Sequence, residues 1–140
     1  MPQLLPARGE SMRLLVVDDD EILRCLLVAQ LSEAGHTVDE CADGMAALSM
    51  ITSKFYNAVI CDWEMPRLDG PGLCRAVRAG PGGNAIYLIM LTGRDTAMAQ
   101  AEGFHAGVDA FLVKPCDPVE LLATLRTAQS IISLPKLKAS

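Results

Sequence analysis

Leu14-Leu15-Val16-Val17-Asp18-Asp19-Asp20 sets four aliphatic residues directly against three carboxylates. The pattern recurs downstream. Ala58-Val59-Ile60-Cys61 runs into Asp62, Tyr87-Leu88-Ile89-Met90-Leu91 into Thr92, and Ala110-Phe111-Leu112-Val113 into Lys114-Pro115. Apolar runs this short, separated by helical patterns, read as parallel strands buried on both faces. Parallel strands align their C-terminal ends along one edge, where ligands bind in open α/β sheets. Carboxylates, a hydroxyl and an ammonium from distant parts of the chain are therefore expected to meet at one site.

The intervening segments carry the 3.6-residue period. Ile22, Leu23, Leu26, Leu27 and Leu31 form the expected apolar stripe of a first helix ending at Ala34-Gly35. Thr37 to Cys41 alternates only partly, as an exposed edge strand does. Asp43 can cap a second helix running through Lys54, with Ala46, Ala47, Met50 and Ile51 inward. Pro71 suits the first turn of a third helix reaching Ala79. Gly80-Pro81-Gly82-Gly83-Asn84 then breaks the pattern. It follows a helix and precedes a strand, the reverse of a phosphate-cradling loop. A fourth helix is expected from about Thr96 to His105. The last helix has the clearest start, with Asp117 as cap, Pro118 next and Glu120 in the third position, and its stripe is Leu121, Leu122, Leu125, Ala128 and Ile132. Five strands alternate with five helices. Right-handed crossovers then give a (βα)5 doubly wound parallel sheet in the flavodoxin-like order 2-1-3-4-5.

A chain of 140 residues supports one domain, here 12–133, flanked by an expected disordered leader at 1–11 and a tail or linker start at 134–140. The composition is 51% hydrophobic but only 4% aromatic, so aliphatic residues must build the core. A net charge of -5 argues against direct binding of nucleic acid. The five cysteines form no CxxC pair and are expected as buried small hydrophobes in a reducing cytosol. Neither a signal peptide nor an apolar stretch of roughly 18 residues is present, so the expected location is cytoplasmic, away from the membrane.

Asp18, Asp19 and Asp62 would repel one another at the shared edge, which calls for a raised pKa or a cation. Hard oxygen ligands favour Mg2+ (with Mn2+ as an alternative), an ion that commonly works on phosphates. Asp20 reads more simply as a helix cap. A carboxylate can attack phosphorus to form an aspartyl-phosphate, and the transferred group carries its charge on equatorial oxygens. The ion would take one oxygen, Lys114 a second and the Thr92 hydroxyl a third.

The segments VVDDD, DWEMPRLDG, LTG and AGVDAFLVKP, in that order, resemble those of the receiver domain of bacterial two-component response regulators, over roughly residues 13 to 132. The resemblance implies a phosphorylation-dependent switch with Asp62 as phosphoacceptor and a histidine kinase or histidine phosphotransfer protein as donor. It implies metal binding by Asp18, Asp19, Asp62 and the backbone carbonyl of Glu64. Thr92 matches the switch hydroxyl, Lys114 the phosphoryl-binding lysine, and Phe111 the aromatic that changes rotamer. It also implies that Lys114-Pro115 is cis, which sequence alone leaves open. Glu64 and Arg94 are expected to tune the site, Gly93 to leave it open, and His36 and His105 to be structural. The face formed by the fourth helix, fifth strand and fifth helix is the expected contact for an output partner or homodimer. The only chemistry expected is the chain's own phosphoryl transfer and autodephosphorylation, not catalysis on a separate substrate.

Other readings stay open at this point. The chain could be a receiver module of a larger regulator, such as a cyclic-dinucleotide synthase or hybrid kinase. A haloacid-dehalogenase-like phosphatase also uses Asp, Mg2+, Thr and Lys, but needs DxDxT where Asp18-Asp19-Asp20-Glu21-Ile22 stands. A phosphorylation-independent pseudoreceiver is disfavoured, since no required residue is missing.

Overall fold

β3 (Ala58–Asp62) is buried at every residue, which a strand can be only with neighbours on both sides and helices over both faces. In a computed structural model, which describes residues 11–93 and 97–133, it is the central strand of a five-stranded parallel sheet ordered β2-β1-β3-β4-β5. The others are β1 (Arg13–Val17), β2 (Thr37–Cys41), β4 (Tyr87–Thr92) and β5 (Ala110–Val113). The helices are α1 (Glu21–Glu33), α2 (Gly44–Ser53), α3 (Gly70–Ala79), α4 (Ala97–Ala106) and α5 (Pro118–Ser133). This is the doubly wound fold expected from the sequence. Residues 1–10 and 134–140, which hold most of the expected leader and the expected tail, lie outside the described residues, as does Thr96.

Local chemistry sets the helix starts. The side chain of Asp20 accepts from the Ile22 and Leu23 amides, that of Asp43 from Ala46, and that of Asp69 from Gly72. Asp117 accepts from the Val119 amide at 3.0 Å. Each carboxylate satisfies amides that a helix start leaves unpaired. Gly70 is fixed by contact: a Cβ there would stand 2.8 Å from the Asp62 carbonyl oxygen and 2.5 Å from Met90 Sδ.

Two cores result, one on each face. Leu14, Val16, Ile60, Ile89 and Leu91 face Leu27 and Leu31 of α1 and Leu121 and Leu125 of α5. Val17, Cys61 and Met90 face α2, α3 and α4, with Trp63 and Phe111 at that side.

Two expectations are corrected. The α1 stripe consists of Leu23, Leu27 and Leu31 with Val28, whereas Ile22 and Leu26 are 75% and 55% exposed. The pattern contains two adjacent i,i+4 rows, and only one can lie against the sheet. Cys25 is exposed rather than buried, and Cys41 and Cys116 are half-buried. Burial still pushes the Cys41 and Cys116 thiols up to about 11, away from the reactive thiolate. The break at Gly80–Asn84 stands between α3 and β4, and a 3-10 turn at Gly83–Ala85 overlaps its end.

Arg78 ties this turn to the far edge. Its guanidinium donates to the carbonyls of Gly83, Ile86 and Gly107 and pairs with Asp109 at 2.6 Å. Asp109 in turn accepts from the Leu88 amide at 2.8 Å. Removing the guanidinium strands several partly buried acceptors, so Arg78→Ala should cost roughly 2–4 kcal/mol. Arg78→Lys, a point charge without the planar fork, should recover less than half of that. Urea unfolding checks both, and an Arg78→Ala midpoint equal to wild type would rule out this role.

Candidate functional site

Register brings the predicted residues together. Val17 pairs with Cys61 and Asp62 with Leu91, while Thr92 pairs with Val113. Asp18, Asp62, Thr92 and Lys114 therefore leave the sheet along one edge. Asp18, Asp62 and Thr92 are buried there, and Asp19 is exposed. An open cleft of about 830 Å3 lies above, lined by Asp19, Asp62, Glu64, Thr92, Gly93 and Lys114 among others. Gly93 does leave it open, since a Cβ there would meet nothing within 4 Å.

Lys114 Nζ lies 2.9 Å from Asp62 Oδ1 and 3.5 Å from Asp18 Oδ2. The second contact is an ion pair without a hydrogen bond, and Asp18 Oδ2 is buried with no hydrogen-bond partner. Asp18 Oδ1 is used locally, accepting from the Asp20 amide at 2.9 Å. Arg24 holds this turn from outside, donating to the Asp18 carbonyl at 2.7 Å and to Glu40 at 2.8 Å. The Lys114 amide donates to the Thr92 carbonyl at 2.8 Å, which fixes the start of the lysine's stem to β4. The peptide bond after Lys114 is cis, as the resemblance implied.

Burial raises the Asp62 pKa above the ordinary carboxylate value. The hydrogen bond from Lys114 opposes this, and the charge of Asp18 reinforces it. Burial works against the Lys114 ammonium, but the hydrogen bond to Asp62 and the charges of Asp62 and Asp18 outweigh it and raise its pKa.

Asp18, Asp19 and Asp62 can each offer an oxygen to one point, these atoms lying within 4.8 Å of one another. Three carboxylates against one ammonium leave two uncompensated negative charges among the described residues. A divalent cation fits that balance, and the unsatisfied Asp18 oxygen offers it a ligand.

The remaining calls divide. Glu64 lines the cleft. Phe111 sits beside the site, its ring centroid 6.3 Å from that of Trp63 and 5.0 Å from that of Phe104. Arg94 lies outside the described residues. His36 stands before β2, at the opposite edge, where its Nδ1 accepts from the Met12 amide at 3.1 Å. His105 is in the last turn of α4. Neither histidine enters the cleft.

Sequence reasoning missed Trp63 and Gly103. Trp63 follows Asp62 directly, lines the cleft and is only 8% exposed. Its signal was available, as an aromatic next to Asp62 in a chain otherwise poor in them. Gly103 had none, because only the packed position of Phe111 makes the missing side chain matter.

Comparison with known proteins now bears on this site. The model of the response regulator receiver domain matches residues 14–126. The chain belongs to that family. It is 43% identical over 116 residues to the response regulator MprA of Mycobacterium ulcerans, covering 83% of this chain and 49% of that protein. The Mycobacterium tuberculosis MprA is 42% identical, with 83% and 50% covered. The chain thus spans about half the length of the curated relatives it matches. Among solved structures, the chemotaxis response regulator CheY4 of Vibrio cholerae aligns with a TM-score of 0.81 at 31% identity, covering 84% of this chain and 98% of that one. The receiver domain of a sensor histidine kinase from Pseudomonas aeruginosa, with a magnesium ion coordinated in its active site cleft, gives 0.80 at 28% identity, with 86% and 98% covered. The family acts as a phosphorylation switch in two-component signalling, and its members partner with histidine kinases. Among the described residues, no helix is long and apolar enough to cross a membrane.

The raised Asp62 pKa has a thermodynamic consequence. The folded chain holds the Asp62 proton more tightly than the unfolded chain does, so this group's stabilising contribution is full below the unfolded pKa. It is lost as pH rises from near the ordinary carboxylate value through the folded pKa. Asp62→Asn should therefore melt above wild type at neutral pH in EDTA, the difference shrinking on acidification. Thermal melts from pH 3 to 8 read this directly. A gap that widens on acidification would refute it. Asp19→Ala should weaken Mg2+ binding by at least about tenfold, the loss typical of even an outer partner of a metal. An unchanged titration would remove Asp19 as a ligand.

Proposed function

We propose that this receiver accepts its phosphoryl group on Asp62 and that Asp18, Asp19, Asp62 and the backbone carbonyl of Glu64 hold Mg2+. The observation that carries the reading is the group formed by half-buried Lys114 with buried Asp62 and Asp18, two carboxylates to one ammonium, beside an open cleft that Lys114 and Asp62 line. The donor is a phosphohistidine on a histidine kinase or histidine phosphotransfer protein. An Asp62 carboxylate oxygen attacks phosphorus, the P–N bond breaks and the imidazole leaves with the bonding pair. Bound metal supplies positive charge to the phosphoryl oxygens during this transfer.

The chain's own groups do the rest. Lys114 pairs with Asp62 at 2.9 Å, and is placed to follow the new charge onto a phosphoryl oxygen. Thr92 offers its hydroxyl to another. Glu64, which lines the cleft, and Arg94, two residues after Thr92 in the chain, tune how fast the acyl phosphate hydrolyses by attack of water at phosphorus. Exposed Ile22, Leu26 and Val119 give α1 and α5, which share one face of the sheet, an apolar surface for the donor.

Thr92 drawn toward a phosphoryl oxygen vacates space that Phe111 enters, and the face of α4, β5 and α5 changes with it. Met98 and Phe104 stand exposed on α4, so this face can meet an output partner or a second copy. The helix is suited to moving because it buries only Ala99, Gly103 and Ala106.

Incubation with a small-molecule phosphodonor and Mg2+ should add one phosphoryl mass to the intact chain. Asp62→Asn should show none, and Lys114→Ala should be slowed by about a hundredfold, the cost of losing one electrostatic partner of the transition state. Undiminished labelling of Asp62→Asn would put the chemistry on another residue.

A further inference from the structure

We propose that Gly103 is a positioning residue of the switch: the side chain it lacks leaves the seat on α4 that Phe111 takes in this structure, and loading of the acceptor site favours that seated position. The inference rests on the phosphorylation reading above. A Cβ built on Gly103 would stand 2.2 Å from Phe111 Cζ and 2.9 Å from Cε1, so ring and methyl cannot both be there. Gly103 is buried in the middle of α4, where helix propensity alone favours alanine. The glycine is explained by the ring it admits.

The seat also joins the two ends of the signal. Seated, the ring lies tilted against Trp63, whose amide donates to the Leu91 carbonyl at 2.8 Å, and Trp63 is bonded to Asp62. On its other side it meets Phe104 edge-on at 83°, and Phe104 is 54% exposed. Trp63, Phe111 and Phe104 thus form one aromatic contact line from the acceptor to the outer face of α4. Met90, paired with Phe111 and with Cys61, lies beneath it. An occupant at Asp62 can shift this line only by favouring one position of the ring over another. Thr92, moving toward the phosphoryl group, opens the space beside the seat, so loading favours the seated position that the ring takes in this structure. A methyl at position 103 strikes the far end of the ring, the part able to leave by rotation, and so biases the chain against that state.

Beryllofluoride with Mg2+, a stand-in for the phosphoryl group, tests this in the full chain. Emission of Trp63, the one tryptophan in the sequence, reports binding, and the Phe104 amide resonance reports the outer face. Gly103→Ala should weaken beryllofluoride binding about tenfold, within the usual span of coupling between sites, and abolish the Phe104 shift. Its titration with Mg2+ alone should match wild type. Adding Phe111→Leu, which withdraws the colliding ring atoms, should restore most of the lost affinity.

Wild-type affinity and an intact Phe104 shift in Gly103→Ala would overturn the proposal, as would a loss that Phe111→Leu leaves unrelieved. If Gly103→Ala does not fold, Phe111→Leu alone decides: loss of the Phe104 shift supports the line of contacts, and its retention breaks it. Failure of wild type to bind beryllofluoride would instead remove the phosphorylation reading, and this inference with it.

Discussion

Lys114 holds Asp62 at 2.9 Å while the neighbouring Asp18 oxygen stays buried without a hydrogen bond. The remainder of the fold is organised around maintaining that imbalance. A carboxylate under a lysine in water would relax toward solvent. Here Asp18 is fully buried by its place just after β1, and its turn is pinned by the Asp20 amide and the Arg24 guanidinium. Removing two charged groups from water costs more than their mutual attraction returns unless further partners arrive. The site therefore holds a negative charge that Lys114 does not fully offset.

The parallel sheet makes this arrangement inexpensive in sequence terms. Each strand need only end on the right residue, and the shared direction of the strands does the gathering. Close approach then matters more than side-chain reach. Gly70 lets the start of α3 pass beside the Asp62 carbonyl, and its own amide donates to the Trp63 carbonyl at 2.8 Å, holding the backbone that follows Asp62.

This explains what could be read from the chain and what could not. The strands, their order and Asp18, Asp62, Thr92 and Lys114 were legible because burial on both faces forces continuous apolar runs, and the run ends mark the edge. The caps at Asp20, Asp43 and Asp117 were legible because they act within three residues. The inward row of α1 was not, since Ile22–Leu26 and Leu23–Leu27–Leu31 are both plausible rows until the sheet selects one. The exposure of Cys25 follows from the same rotation. The Arg78 cluster and the Gly103 seat join residues far apart in sequence through a glycine or backbone carbonyls, which carry no side-chain pattern.

The two faces of the sheet differ in a way that bears on direction. Beneath α1 and α5 the filling is mostly Leu, Ile and Val, with Met12 and Ala58. Beneath α3 and α4, one residue below the acid edge, runs a row of Cys61, Met90 and Phe111, joined by Cys74 and Trp63. Cys61 and Met90 are sulfur side chains 3.7 Å apart, and thioethers fill irregular space with little preference among conformers. α3 is anchored there by Leu73, Cys74 and Val77, but α4 buries only small residues and so loses little apolar contact when displaced. A change at Asp62 meets resistance from the aliphatic face and compliance from the other. A displacement at the acid edge should therefore travel toward α4, because that is where the packing opposes it least.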